Sequence, residues 1–269
     1  MRLIIDNDKY QLYARTDYSL SENTLLNGSA SAGATSIEII NASGFATDDY
    51  IIIEDIGNER AEIRKITVSG NTLTVDAITF DHKSKTKVSR LQYNQVKFYE
   101  NDALLDTVDI SPDYFTKTTT AVDIDKTYTM VYYNETSTES SPEGEVLNGW
   151  EYNLCSIGDV LQYEDPTILG NKVLDKINIA SREIRNMFIS QEQEFTDLSQ
   201  RDIARLRDPV ALRALYYIFT ELIKQEEDVP SNKASIYERL YNAKIKEVTD
   251  VINKENDDVR IWSQTRLLR

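Results

Sequence analysis

The spacing of apolar residues changes near Tyr163 and divides the chain into two regions. Before this point, apolar and polar residues alternate in short runs separated by glycine and asparagine turns, which is the pattern of half-buried β-strands. After Pro166, apolar residues recur every three or four positions, which is the pattern of amphipathic helices. The sequence therefore predicts a multidomain α+β protein, with β modules followed by helices.

Two β modules are predicted in the first region. The first covers residues 1–90 and begins with a segment, Leu3 to Tyr13, that fits either an arm or a first strand. The alternating runs after it are short and joined by turns such as Asn41–Gly44, which is typical of a small barrel or sandwich. These runs cover residues 36–40, 50–54, 59–68 and 72–75.

The second β module is predicted at residues 91–150. Its last alternating run, 127–134, is rich in tyrosine and leads into the polar turn Ser137–Pro142. A tyrosine-rich strand, a polar turn and a Ser-Pro exit resemble the final hairpin of immunoglobulin-like or fibronectin-III modules. The earlier runs of this module cover residues 96–100 and 104–108.

A bundle of three helices is predicted at residues 151–256. The first helix should cover Thr167–Ser190, with Thr167 as N-cap. The second should begin with Asp208 as N-cap and Pro209 at the first helical position, where the missing N–H does no harm. The third should begin at Ser231, because a proline stands directly before it.

The last residues, 257–269, are predicted to form an extended C-terminal tail. The helical period is lost there, and apolar and basic residues such as Trp262 and Arg260 alternate. Such a segment cannot bury itself alone, but it can pair with a strand edge or a cleft on a neighbour. Tryptophan and arginine are also residue types that anchor interfaces. The tail is therefore either a docking segment or a frayed, solvated terminus.

The net charge of the 269-residue chain is −15 at neutral pH, and it is uneven. Residues 1–150 carry −11 of this charge and residues 151–269 carry −4. A surface this acidic repels phosphates, which argues against a protein that reads nucleic-acid sequence. The acidity either keeps the protein soluble or lines a passage through which DNA slides without sticking.

The sequence gives no indication of a membrane or secretory protein. It has no run of about 18 uncharged apolar residues, so we expect no transmembrane helix. Only three apolar residues precede Asp6 near the start, too few for a signal-peptide core. The single cysteine, Cys155, cannot form an internal disulfide and fits a reducing cytoplasm.

The chain carries no recognisable catalytic or cofactor-binding motif, so we expect neither an enzyme nor a cofactor. His82 is the one histidine and stands beside Asp81, but no nucleophile stands in a motif context, which favours a loop or core role. Cys155 lacks the partners of a zinc or thiol-enzyme site. The spacing of Asp6 and Asp8 could begin a calcium site, but no ladder of oxygen ligands continues it.

Residues 35–99 resemble a small β module that is common in virion proteins of tailed bacteriophages. The resemblance rests on segments such as Gly44–Glu54, Glu59–Ile66 and Phe80–Lys83. The helical region resembles the head–tail adaptor proteins, also called head-completion or connector proteins. That resemblance spans about 110 residues, from Asp159–Tyr163 through the helix at Val210–Tyr217 to the third helix with its Tyr237 and Tyr241 pair.

The resemblance implies a non-enzymatic virion protein of the neck, assembled in the host cytoplasm. In that family a helical bundle forms a ring below the portal, joins the capsid to the tail and lets DNA pass as non-specific cargo. The expected partners are the portal, tail or neck proteins, fibre or capsid proteins at the β modules, and further copies of the chain in a dodecameric ring. The resemblance assigns portal docking to Val259, Arg260, Ile261, Trp262, Arg266, Leu267, Leu268 and Arg269.

Two other functions fit the same sequence. The β modules could anchor a fibre or bind a glycan through tyrosines, with the pairs Tyr132–Tyr133 and Tyr10–Tyr13 as the platform. Alternation in a strand buries one residue of each adjacent pair, so about half of the tyrosines are expected in the core. The chain could also be a minor baseplate or tail protein built from the same modules.

Overall fold

A computed structural model divides the chain into two compact units, Met1–Trp150 and Glu151–Arg269. The residues that the structure describes are 3–6, 11–123, 125–169, 173–190, 195, 198–223 and 229–266. For residues 166, 167, 190, 200 and 255–266, only the backbone is described.

The first unit contains antiparallel strands in three sheets, with strand orders β3-β8-β5-β6-β7-β4, β10-β9-β12-β13 and β1-β2-β11. The strands are β1 (Leu3–Asp6), β2 (Gln11–Arg15), β3 (Leu20–Leu25), β4 (Ser36–Glu38), β5 (Tyr50–Ile53), β6 (Glu62–Ser69), β7 (Thr72–Val75), β8 (Lys87–Leu91), β9 (Gln95–Glu100), β10 (Ala103–Asp109), β11 (Phe115–Thr119), β12 (Thr127–Tyr133) and β13 (Leu147–Asn148).

The six-stranded sheet curves around an aliphatic core. Ile51 and Ile53 of β5 are fully buried in this core, two residues apart, as the period of a strand requires. The two edge strands, β3 and β4, meet just beyond their ends at a single bridge between Leu26 and Ile39. A single bridge does not extend the strand pairing from β4 to β3, so the sheet is open. The closed barrel, one of the two predicted alternatives, is therefore wrong.

The four-stranded sheet has one apolar face and one polar face. Phe98 of β9 and Met130 of β12 lie opposite each other in the register and are both fully buried. On the same face, Val96, Tyr128 and Tyr132 are also fully buried. Between them, Lys97 and Val131 are partly exposed on the other face, whereas Thr129 is 4% exposed. The predicted alternation of the tyrosine-rich run therefore holds for most of β12.

The three-stranded sheet contains the N-terminal residues. β1 and β2 lie within the segment for which an arm and a first strand were both considered, and β2 pairs with β11 from Arg15↔Phe115 to Gln11↔Thr119. Just beyond this register, the hydroxyl groups of Thr16 and Thr116 lie 3.2 Å apart in the interior. This long-range pairing crosses the predicted boundary between residues 90 and 91, and that boundary remains a prediction.

The second unit is helical. Its elements are α1 (Ile157–Val160), α2 (Pro166–Leu169), α3 (Val173–Ser190), α4 (Gln200–Arg205), α5 (Arg207–Leu222) and α6 (Val229–Arg266). The described residues of this unit thus form four helices of six residues or more and two single turns, where three helices were predicted. α5 packs between α3 and α6, and Ile184 of α3 and Leu215 of α5 are fully buried.

Several predicted helix ends differ from the observed ones. The first predicted helix corresponds to α2 and α3, and residues 170–172 between them lie outside the described residues. Asp208 is not an N-cap but the second residue of α5, because α4 leads directly through Leu206 into that helix. The last helix begins at Val229 and includes Pro230, which is tolerated in a first helical turn.

The predicted extended tail is also wrong for most of its length. α6 continues to Arg266, so residues 257–266 are helical. The chain has no glycine or proline after Pro230, and therefore no residue that would break the helix. Residues 267–269 lie outside the described residues.

Candidate functional site

The polar face of the four-stranded sheet is the candidate ligand surface of the first unit. We call its residues Gln95, Lys97, Asp109 and Tyr133 the outer face. Strand register places Gln95 between Asp109 and Tyr133, because β9 pairs with β10 on one side and β12 on the other. The Gln95 amide donates to Asp109 at 2.9 Å. The Lys97 ammonium lies 3.3 Å from the ring centroid of Tyr133, a cation–π contact.

A carboxylate connects this face to the neighbouring sheet. Glu135 accepts hydrogen bonds from the Tyr50 hydroxyl at 2.6 Å and from the Gln95 amide at 3.2 Å. The hydrogen bond to Glu135, followed by burial and the charges of Glu135 and Asp109, raises the pKa of Tyr50 to about 12. Tyr50 therefore stays a neutral donor at physiological pH. The outer face combines an aromatic ring with donors and acceptors, a set that suits ligands rich in hydroxyl groups.

His82 belongs to a buried polar cluster with Glu54 and Glu62, at the end of β5 and the start of β6. Its Nδ1 lies 3.1 Å from Glu54 and its Nε2 lies 2.8 Å from Glu62. His82 is 2% exposed, so the ring cannot reach a substrate, and its position agrees with the core role considered from the sequence.

Glu62 receives several hydrogen bonds in this cluster. Burial alone would raise the pKa of Glu62, but the Thr79 N–H, His82, the charge of Arg64 and the Phe80 N–H together hold it below its ordinary value. A carboxylate that accepts this many bonds fixes the strands around it. The cluster is therefore a structural feature, and we assign no chemistry to it.

In the helical unit, Arg213 of α5 is enclosed by aromatic rings and one carboxylate. Its guanidinium donates two hydrogen bonds to Glu183 of α3, at 2.9 and 2.7 Å. The rings of Tyr216, Tyr217 and Tyr241 lie 4.8 to 4.9 Å from it, so it also contacts α6. This cluster joins the three long helices.

A second cluster fixes the beginning of α6. Lys233 donates to both oxygens of Glu164, at 2.5 and 2.7 Å, and the Tyr237 hydroxyl donates to the same carboxylate at 2.6 Å. The Tyr237 ring stacks on Phe219 of α5 at a centroid distance of 5.6 Å. Together these contacts connect α6 to α5 and to the segment that precedes α2.

A pocket of about 300 Å³ lies where α1, α4, α5 and α6 meet. Its charged lining is balanced between both signs. The basic residues are Arg205, Arg207 and Lys244, and the acidic residues are Asp159, Asp208 and Glu247. Arg205 and Lys244 already form ion pairs, with Asp202 and Glu247 respectively. Such a lining selects for no particular ligand charge.

The predicted portal-docking residues lie at the end of α6 or beyond it. Five of them, Val259, Arg260, Ile261, Trp262 and Arg266, belong to the backbone of α6. Leu267, Leu268 and Arg269 fall outside the described residues. The structure therefore places the first five on one helix, and their assignment to a portal interface remains a prediction.

The tyrosine pairs considered for glycan binding are largely in the core. Tyr132 is fully buried and donates a hydrogen bond to the Arg15 carbonyl, and Tyr13 is 6% exposed. Tyr133 is partly exposed on the outer face, whereas Tyr10 falls outside the described residues. Sequence reasoning did not identify Gln95 or Lys97, because only strand pairing brings them beside Tyr133. It also did not identify Glu135, whose partners Tyr50 and Gln95 are distant in the sequence.

The remaining residues considered from the sequence as metal or thiol sites are Cys155, Asp6 and Asp8. Cys155 is buried and forms no disulfide. Asp6 is buried, and Asp8 lies outside the described residues. Within the residues that the structure describes, no group of His, Cys, Asp and Glu side chains could hold a metal ion. No described helix is both long and apolar enough to cross a membrane.

Comparisons with known proteins give little information. No family model and no curated protein matches the chain. Among solved structures, part of the chain is similar to the tailspike of Acinetobacter baumannii bacteriophage AP22, solved in complex with A. baumannii capsular saccharide. The identity is 14%, the TM-score is 0.22, and the match covers 29% of this chain and 14% of the tailspike. A likeness this small and partial carries no argument about function.

Proposed function

We propose that this protein is a non-enzymatic structural component of a tailed-phage virion and acts as a head–tail adaptor. In this proposal the helical unit forms a ring below the portal, and the C-terminal end of α6 docks into the portal subunits. The β unit then faces tail, fibre or capsid proteins. The observation that supports it is the length of α6.

α6 is much longer than the helices on which it can pack. It has 38 residues, against 18 in α3 and 16 in α5. At 1.5 Å per residue, these lengths are about 57, 27 and 24 Å. α6 contributes buried residues between Ala234 and Ile252. A helix that continues for about four more turns offers an arm to a partner.

α6 also has apolar residues away from the bundle core. Ile236 and Leu240 are 45% and 42% exposed, and they lie one turn apart on the same face. Val229 and Val251 are also exposed, and they lie near the two ends of the part of α6 whose side chains are described. Exposed apolar residues on a helix are the usual means by which helices bind one another in an assembly. A ring built through this face would leave the acidic surface free to repel passing DNA.

Fluorescence of Trp262 tests the docking of α6. The chain has two tryptophans, so Trp150→Phe leaves Trp262 as the one reporter. On addition of purified portal, we expect its emission to shift to shorter wavelength, because docking removes the indole from water. The matched variant Trp262→Phe keeps Trp150 and should show no shift. An unchanged Trp262 emission under conditions where the two proteins bind would show that docking occurs elsewhere.

The second candidate function is glycan binding or fibre anchoring through the outer face. The observation in its favour is the partly exposed combination of Tyr133, Lys97 and Gln95 with two carboxylates. The test is binding of the full chain to a panel of capsular polysaccharides, with Tyr133→Ala and Lys97→Ala as variants. Tyr18→Ala is the control, since Tyr18 is 44% exposed and lies outside this face. Binding that both variants retain would exclude the outer face. A minor baseplate or tail protein remains a third assignment.

A further inference from the structure

α3 buries polar residues on a second side, away from its apolar core positions. Ile177 and Ile184 are fully buried on the apolar side. Asn178, Ser181 and Arg185 are between 0% and 3% exposed, and their spacing of three and four residues places them on one face. We call these three residues the buried polar face of α3.

The segment before α1 runs along this face. The Leu154 N–H donates to Ser181 Oγ at 3.0 Å, and the Asn178 side chain donates to Asn153 at 3.2 Å. Arg185 lies at the end of the face, with its guanidinium carbon 5.9 Å from the ring of Tyr152 and 5.6 Å from the ring of Phe195. The guanidinium thus lies near two aromatic rings.

The guanidinium of Arg185 has no hydrogen-bond acceptor among the described residues. All three of its nitrogens are buried without a partner. Burial lowers the pKa of Arg185 to about 10, and the charge of Glu151 only partly offsets this effect. A side chain with that pKa remains cationic at neutral pH. A buried cation without acceptors is costly and calls for an anion.

The other buried cation of α3, Lys176, has an acidic partner. Lys176 is 6% exposed and forms an ion pair with Glu221 of α5. Arg213, described above, has a carboxylate on its guanidinium in addition to its aromatic rings. Arg185 has only the rings. The difference is the missing acceptor.

We propose that Arg185 forms a binding site for a small oxyanion. The fork of the guanidinium matches the two oxygens of a carboxylate or phosphate group, and the aromatic rings keep the charge away from water. The site is independent of the adaptor proposal, because it lies on α3 and requires no partner protein.

The test measures thermal unfolding of the full chain while inorganic phosphate replaces chloride at constant ionic strength. We expect a saturable rise in Tm of about 3–6 °C for the wild-type chain. Arg185→Met should show no saturable rise, and its Tm in chloride should exceed that of the wild type, because a methionine of similar size needs no acceptor. Lys176→Met is the control, and it should keep the phosphate response although it loses an ion pair.

The proposal fails if wild-type and Arg185→Met respond equally, or if neither response saturates. Arg185→Lys provides a second criterion should Arg185→Met not fold. It keeps the charge but loses the fork, so we expect its half-saturating phosphate concentration to increase about tenfold. An unchanged half-saturating concentration in Arg185→Lys would also overturn the proposal.

Discussion

Glu183 and Arg213 form a two-point contact between α3 and α5, with Arg213 donating at 2.9 Å through Nε and at 2.7 Å through Nη2. The Tyr217 hydroxyl donates to the same carboxylate. The Arg213 side chain is 17% exposed and that of Glu183 is 35% exposed, so the pair is only partly screened by water.

Replacing Arg213 by lysine should therefore destabilise the helical unit. Lysine keeps the charge but cannot donate in a fork or stack flat on three rings. We expect Arg213→Lys to lower the free energy of unfolding by about 1–3 kcal/mol, measured by chemical denaturation. Lys244→Ala is the matched control. Its ion pair with Glu247 is exposed, so its loss should cost less than about 0.5 kcal/mol. Equal losses would contradict the structural role of the Arg213 cluster.

The contact of Glu164 with Lys233 and Tyr237 should make stability depend on pH. Burial alone would raise the pKa of Glu164, but the hydrogen bonds from Lys233 and Tyr237, the charge of Lys233 and the Asp165 N–H hold it below its ordinary value of 4.5. A carboxyl group with a lower pKa in the folded state stabilises the fold above its unfolded pKa. This stabilisation should disappear as the pH falls below 4.5 and through the folded pKa.

The variant Glu164→Gln isolates this effect. It should unfold more readily than the wild type at pH 7, and the difference should narrow as the pH falls below 4.5. Glu238→Gln, an exposed acidic position on α6 next to Tyr237, is the control and should not change the dependence of Tm on pH. The measurement is Tm against pH for the three proteins. A constant difference between Glu164→Gln and wild type across this range would contradict the assignment.

Gly44 and Gly28 should respond differently to substitution by alanine. Gly44 has φ +88°, and a Cβ there would lie 2.8 Å from Cγ of Glu22. Gly28 has open space around it and no positive φ. Gly44→Ala should therefore cost about 1–2 kcal/mol of unfolding free energy, whereas Gly28→Ala should change it by less than about 1 kcal/mol. Similar effects of the two substitutions would show that the turn at Asn41–Gly44 differs from the one described.

Local alternation and local helical period predict most of the individual elements. The pattern at Thr72–Val75 predicts a strand because burial with period two is visible in neighbouring residues. The pairing of β2 with β11 is not visible in this way, since Thr16 and Thr116 are 100 residues apart and no local pattern links them. The absence of a closed barrel likewise depends on how the ends of a sheet meet.

Helix ends were predicted less well than helix faces, for a physical reason. Asp208–Pro209 is a favourable helix start, but α4 precedes it closely enough that Leu206 and Arg207 take that role. Competition between neighbouring helices is a tertiary effect. The continuation of α6 to Arg266 could have been predicted from the absence of glycine and proline after Pro230.

The candidate sites depend on contacts that a single sequence does not show. From the sequence alone, Arg185 cannot be distinguished from a solvated arginine on the polar side of an amphipathic helix. Only the fold shows that the segment with Tyr152 and Asn153 covers this side of α3. The same holds for Lys97, whose ammonium lies on Tyr133 because two strands pair in one register. The sequence shows the residue types but not the residues that they contact.

The most direct test of the central claim is the mass of the assembly that the chain forms with and without the portal. Mass photometry, with negative-stain imaging of the same samples, gives the number of copies. The adaptor proposal predicts a monomer or weak oligomer alone and a ring on the portal, lost when residues 257–269 are removed while the helical circular dichroism of the rest is retained. A chain whose mass is unchanged by the portal, or a truncated chain that still forms the ring, would contradict the adaptor proposal.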